Sequence, residues 1–161
     1  MNRETNFIDD IRFGKSGTNI FVEDFLEFKG LHYFDVQSNK KYQLIDVDYV
    51  VKDSGLYEVK TNYKDDGFII IEECSTAPGI YDGWFYKTKA DIIVFISKQT
   101  RTMIFLQFTD MFKQHYKTIR YGDNKLIVNK PTYYEGKYWQ SAYRKIPLSD
   151  IKRFYSIYKK C

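Results

Sequence analysis

The chain has 161 residues, of which 43% are hydrophobic and 19% aromatic, and its formal net charge is +4. This length and composition predict one folded domain with a sizeable core, and they exclude an intrinsically disordered chain.

Targeting and redox signals are weak in this sequence. No apolar run is long enough to cross a bilayer, and the charged first ten residues lack the apolar core of a secretory signal. The two cysteines, Cys74 and Cys161, form neither a disulfide framework nor a C-x-x-C metal pair. We therefore expect a cytoplasmic protein with reduced thiols and without membrane contact.

The first predicted elements are a helix and a short strand. Thr18 is a suitable cap for a helix over residues 19–29, and Gly30 is a suitable stop. A short strand is predicted over residues 31–36.

A β-hairpin is predicted over residues 45–60, because two β-rich runs flank a polar turn at 53–55. With these three residues as the loop, Asp48 pairs with Lys60. Side chains alternate along a strand, so Asp48, Glu58 and Lys60 then share one face. A slip of one residue in register would turn Asp48 to the opposite face.

Two carboxylates and an amine on one face suit metal-assisted hydrolysis of a phosphodiester. In this register Asp48 lies diagonal to Glu58, roughly 7–8 Å away between backbones, so that both can bind one cation. A bound Mg²⁺ acidifies water and neutralises charge on the reacting phosphate. Lys60 would orient that water or offset charge, with a pKa expected to be lowered by cations and partial burial.

These residues resemble a known family of enzymes. Asp48, followed ten positions later by Glu58-Val59-Lys60, is similar to the motif of the PD-(D/E)xK nuclease superfamily, with spacing like that of phage junction-resolving endonucleases. The resemblance covers about residues 15–107 and includes the segment 83–95. Valine stands where many members have proline before the aspartate, and Asp46 remains an alternative to Asp48.

The resemblance implies a fold, a cofactor and a metal site. The expected fold is a single restriction-endonuclease-like α/β domain with a mixed central sheet flanked by helices. The expected cofactor is Mg²⁺, for which Mn²⁺ can substitute. Its ligands would be Asp48, Glu58, the carbonyl of Val59 and, from the first helix, Glu23.

Catalytic and DNA-binding roles follow from the same resemblance. Asp48, Glu58 and Lys60 would carry catalysis, while Lys87 and Lys89 would contact the phosphate backbone of DNA. Junction-resolving relatives act as dimers, so a homodimer is one expected state.

Further elements are predicted downstream of the hairpin. Strands are expected over 68–72, 91–97, 102–108, 125–128 and 143–146. Helices are expected over 84–89, 109–118 and 149–158, and a loop over 75–82. Glu72 or Glu73, at the end of the strand that follows the hairpin, is expected to share a sheet face with the site or its neighbours.

The last third of the chain differs in charge from the rest. Residues 1–110 contain 13 Lys and Arg against 18 Asp and Glu, whereas residues 111–161 contain 12 against 3. The second segment is also rich in aromatics, and such segments can neutralise phosphates and stack on unpaired bases. We interpret it as a basic extension of the same domain that contacts nucleic acid; a basic surface over a tyrosine-rich core is the alternative.

The sequence thus predicts a Mg²⁺-dependent DNA endonuclease, with branched or partly single-stranded DNA as candidate substrates. Two other functions remain open. One is a nucleic-acid-binding protein that keeps a nuclease scaffold without catalysis, and the other is a protein-interaction module.

Overall fold

A computed structural model describes residues 14–76, 81–120, 124–134 and 137–160 of the chain. In chain order its strands are β1 (Tyr33–Asp35), β2 (Tyr49–Val51), β3 (Gly55–Lys60), β4 (Phe68–Thr76), β5 (Tyr81–Asp82), β6 (Ile92–Ile96), β7 (Thr102–Gln107), β8 (Ile127–Val128), β9 (Thr132–Tyr134), β10 (Lys137–Trp139), β11 (Ala142–Pro147) and β12 (Tyr155–Lys159). The helices are α1 (14–21, continuing as a π-helix through Val22–Glu27), α2 (Lys40–Gln43), α3 (Trp84–Lys87) and α4 (Asp110–Ile119).

The strands within these ranges form three sheets. A mixed six-stranded sheet has the order β1-β2-β3-β6-β7-β12, and only its β3–β6 pair is parallel. A four-stranded antiparallel sheet has the order β5-β4-β11-β8, and β9 pairs with β10 in a two-stranded ribbon. The prediction of an α/β protein with a mixed central sheet is confirmed.

Each face of the six-stranded sheet is covered by a hydrophobic cluster. On one face, Phe21 and Leu26 of α1 pack against Tyr49, Tyr57 and Val59. The opposite face packs against the second sheet, α3 and α4, through residues that include Phe95, Ile71, Phe85, Phe112 and Ile146. Strand side chains alternate, so Glu58 and Lys60 lie on the opposite face from Tyr57 and Val59 and face this second cluster.

The first helix begins earlier than predicted. The Thr18 hydroxyl donates to the Lys15 carbonyl at 2.8 Å, so Thr18 lies inside the helix and does not cap it. The predicted end is confirmed, since Gly30 follows the last turn with a φ of 63°, a conformation that favours glycine.

The predicted hairpin is present, but its register differs by two residues from the prediction. Gly55 is the first residue of β3 and pairs with Val51, so the three-residue loop is 52–54. The predicted pairing of Asp48 with Lys60 is therefore wrong. A shift of two residues restores every side chain to its original face, and the predicted face is kept.

The strands and helix predicted after the hairpin are largely confirmed, but two assignments are wrong. The strand expected at 68–72 is present, extends to Thr76 and belongs to the second sheet. The expected final helix is a kinked 3₁₀ segment, Leu148–Phe154, followed by β12, which pairs with β7. The loop predicted over 75–82 is wrong at both ends, because residues 75–76 belong to β4 and residues 81–82 form β5; residues 77–80 lie outside the described residues.

Described strands of the basic last third pair with strands from earlier in the chain. Strand β11 pairs with β4 over six positions, and β12 forms an edge of the six-stranded sheet. None of the helices within the described ranges is long and apolar enough to span a membrane.

Candidate functional site

The carboxylate of Asp48 reaches the strand that carries the ExK residues. The backbone N–H of Asp48 donates to the Tyr57 carbonyl, and its side-chain Oδ2 accepts from the Val59 N–H, both at 2.8 Å. These two bonds fix Asp48 immediately before β2 and direct its carboxylate toward β3. The sequence expectation that Asp48 lies beside Glu58 and Lys60 agrees with this geometry.

Glu58 and Lys60 lie two residues apart on β3 and therefore on the same face. The Lys60 ammonium donates to the Glu58 Oε1 in a short ion pair. The Glu58 side chain is only 7% exposed, and that of Lys60 is 21% exposed. The Glu58–Lys60 ion pair therefore lies at the edge of the hydrophobic cluster between the six-stranded sheet and the second sheet.

Burial controls the protonation of both carboxyl groups. It raises the pKa of Glu58 to about 7; Lys60 opposes this shift, whereas the Asp48 charge adds to it. Burial also raises the pKa of Asp48, against the lowering effects of the Val59 N–H and of Lys60. Each carboxylate therefore lacks full compensation for its negative charge.

The expectation that Lys60 has a lowered pKa is wrong. Burial alone would lower its pKa, but the Glu58 carboxylate outweighs burial, so the pKa of Lys60 is raised. Lys60 is therefore a cation near neutral pH. Its suitable chemical role is to stabilise negative charge and donate hydrogen bonds, not to accept a proton.

Three further residues surround this cluster. Lys87 of α3 forms an ion pair with Asp46 at 2.8 Å, and the Lys60 ammonium lies 5.4 Å from the centre of the Trp84 ring. Asp46 itself precedes β2 and has a φ of 45°, so it is not in the strand. The nearest alternative ligand, Asp46, is thus held by a lysine, whereas Asp48 contacts β3.

Glu72 is a neighbour of the cluster from the second sheet. Burial raises its pKa, while Lys60 and the Trp84 N–H lower it. The sequence predicted that Glu72 or Glu73 shares a sheet face with the site or its neighbours. Their strand, β4, instead belongs to the second sheet. Glu73 instead accepts hydrogen bonds from the Tyr116 hydroxyl at 2.7 Å and from Arg144 at 3.0 Å.

Glu23 is not brought into this cluster. Its helix covers the other face of the sheet, its side chain is 63% exposed, and it lies 3.7 Å from Arg101. It also lines a groove of about 870 Å³ together with Tyr33, Asp35 and Tyr49. The register of a helix on a sheet depends on packing, which a single sequence does not reveal.

The remaining predicted site residues have distinct environments. Val59 buries its side chain against α1, and its N–H is the group that binds Asp48. Lys87 is 43% exposed beside Asp46. Lys89 is exposed, and its backbone N–H donates to the Ile45 carbonyl at 2.9 Å.

The donor set at Asp48 and Glu58 fits a hard divalent cation. Both groups supply carboxylate oxygens, which Mg²⁺ prefers; Glu58 is buried and Asp48 half-buried, and burial raises the pKa of each. Within the described ranges no three His, Cys, Asp or Glu side chains are grouped so as to hold a metal ion. Other ligands would have to be water, substrate oxygens or a backbone carbonyl.

Comparisons with protein-family models, curated proteins and solved structures found no match for this chain.

Proposed function

We propose that this protein is a Mg²⁺-dependent nuclease that hydrolyses phosphodiester bonds in DNA. The observation that supports this most is the convergence of Asp48, Glu58 and Lys60, with Asp48 bonded to the backbone of β3 and Lys60 bonded to Glu58. These residue types and their spacing resemble those of PD-(D/E)xK nucleases.

Each residue has a role that matches its environment. Asp48 and Glu58 would hold the cation, with the Val59 carbonyl as a further ligand, and the cation supplies an acidified water and neutralises phosphate charge. Lys60, protonated beside Glu58, would stabilise the negative charge that develops on the phosphate. Lys87, partly exposed beside the cluster, would contact a neighbouring phosphate.

The order of elements also supports the proposal. One helix, three antiparallel strands, a short helix and a strand parallel to β3 follow in sequence, with α2, β4 and β5 as additional elements between them. The superfamily core has this order of helices and strands. Endonuclease action on branched or partly single-stranded DNA, and dimerisation, extend the proposal by resemblance alone.

One observation favours a second candidate, a nucleic-acid-binding protein without catalysis. Glu58 is already paired with Lys60, and Glu23 lies on the other face of the sheet, so the site offers two carboxylates where three were expected. The basic last third would then carry binding, through phosphate contacts that weaken with salt.

Cleavage assays test the proposal directly. Wild-type protein with Mg²⁺ or Mn²⁺ should cleave plasmid, single-stranded or four-way-junction DNA. Asp48→Asn keeps an oxygen for the Val59 N–H but should lose both metal binding and cleavage. Lys60→Met should bind metal yet turn over about 100-fold more slowly, since it loses a charge that acts in the transition state.

Two exposed residues of the same hairpin turn provide controls. Asp53→Asn and Lys52→Ala change the same residue types outside the cluster and should cleave as the wild type does. No cleavage of any of the three substrates with either metal, or equal cleavage by Asp48→Asn, would contradict the proposal.

A further inference from the structure

Helix α3 lies between the candidate site and the surface. Its Trp84 ring faces Lys60, its Lys87 ammonium binds Asp46, and Phe85 is buried against Tyr116 with ring centres 4.5 Å apart. Tyr86 is the remaining residue of this helix, and 41% of it is exposed. An aromatic ring is thus presented to solvent by the same short helix that lines the site.

The Tyr86 ring is exposed but held in place. Its hydroxyl accepts a hydrogen bond from Arg120 Nη1 at 2.8 Å, and its ring meets Phe85 at 4.9 Å in an edge-on arrangement. Arg120 also lies 4.0 Å from the Glu73 carboxylate, which anchors the arginine to the second sheet. A ring fixed at both ends loses little conformational entropy when a ligand stacks on it.

Tyr86 differs in this respect from another exposed aromatic ring, Phe34. The Phe34 ring is 67% exposed on the edge strand β1, and it has no hydroxyl group to be anchored. Tyr86 is followed on the same helix by Lys87, whose side chain is 43% exposed and whose ammonium binds Asp46 beside the site. A fixed aromatic ring and a cation on one short helix can bind a base by stacking and a phosphate of the same strand by charge.

We infer that Tyr86 and Lys87 form a nucleotide subsite in which an unpaired base stacks on the Tyr86 ring. This inference rests on the proposed function, and it specifies the substrate class as a strand with unpaired nucleotides near the cleaved bond. A base inside a duplex is stacked on both faces and cannot offer one to the ring without being extruded.

Binding measured without cleavage tests the subsite independently of catalysis. The probes are a fluorescein-labelled oligothymidylate and a blunt duplex of the same length, both in EDTA. Tyr86→Leu should weaken binding of the single strand about 10- to 100-fold, the usual effect of losing one stacked base. Duplex binding should not change.

Two matched variants separate stacking from general damage. Tyr86→Phe keeps the ring and should retain most of the single-strand affinity, whereas Phe34→Leu removes an exposed ring elsewhere and should have no effect. An oligothymidylate made abasic along its length should bind wild type and Tyr86→Leu equally.

Wild-type affinity of Tyr86→Leu for the single strand, or an equal loss on single strand and duplex, would overturn the inference. A wild-type protein that cleaves nothing would contradict the proposed nuclease instead, and the binding comparison would still decide whether the subsite exists.

Discussion

Glu58 is the carboxyl group of the candidate site whose pKa burial raises furthest. Its carboxyl group binds a proton more tightly in the folded protein than in the unfolded chain, because burial raises its pKa from 4.5 to about 7. The folded state is therefore favoured most below pH 4.5, and this contribution is lost as the pH rises through 7. A residue that is needed for function can be retained despite this loss of folding stability.

We predict that Glu58→Gln removes this pH dependence. Between pH 4.5 and 8 the wild-type free energy of unfolding should fall by about 3 kcal/mol more than that of the variant, since one pKa unit corresponds to about 1.4 kcal/mol. Urea denaturation at both pH values measures the difference.

Asp53→Asn is the control for this comparison, because its carboxyl group is exposed in the hairpin turn. It should show the wild-type pH dependence. An equal change in the free energy of unfolding with pH for wild type and Glu58→Gln would mean that Glu58 does not titrate as its burial implies.

At the scale of elements, the hairpin shows how far the sequence can be interpreted. Alternation of side chains predicts correctly which residues share a face, and the loop length of three residues is also correct. The register is wrong because Gly55, a typical turn residue, begins β3 with a φ of 115°. At this end of β3, the Asp91 carboxylate accepts a hydrogen bond from the Leu56 N–H at 2.8 Å.

We predict that Gly55→Ala destabilises the protein by about 3 kcal/mol. The added methyl group would lie 2.5 Å from the Asp91 Oδ2, and the φ of 115° is strained for alanine. Gly67→Ala is the matched control, since Gly67 has a φ of 82° but open space around it, and it should cost about 1 kcal/mol. Equal losses in thermal melts would show that the contact with Asp91 is unimportant.

The C-terminal strand β12 could not be predicted from local signals. Ser149 resembles a helix cap, but the chain forms a 3₁₀ segment and then pairs along β7. Long-range contacts stabilise that pairing: the Tyr158 hydroxyl donates to the Asp24 carbonyl at 2.8 Å, and its ring packs against Phe25. Tertiary context overrides local propensity here.

At the scale of the whole molecule, the charge boundary near residue 110 is not a folding boundary. Helix α4 and strand β11 complete the cluster around Phe112 and Ile146, and β12 covers the edge of β7. The sequence assigned this segment to the same domain, but composition alone could not show that it contributes to both sheets.

We predict that a fragment of residues 1–110 does not fold. Without β11, strand β4 loses its longest partner, and without β12 the edge of β7 is exposed, which favours aggregation. The full chain should unfold in one transition, with coincident far- and near-ultraviolet circular dichroism. A soluble fragment with its own cooperative transition would contradict this prediction.

Anomalous diffraction from a crystal soaked in Mn²⁺ is the most direct test of the proposed site. The account predicts a peak between the carboxylates of Asp48 and Glu58, at roughly 2.2 Å from an oxygen of each. The same soak of Asp48→Asn crystals should show none. A soaked wild-type crystal with ordered Asp48 and Glu58 side chains and no peak between them would contradict the account.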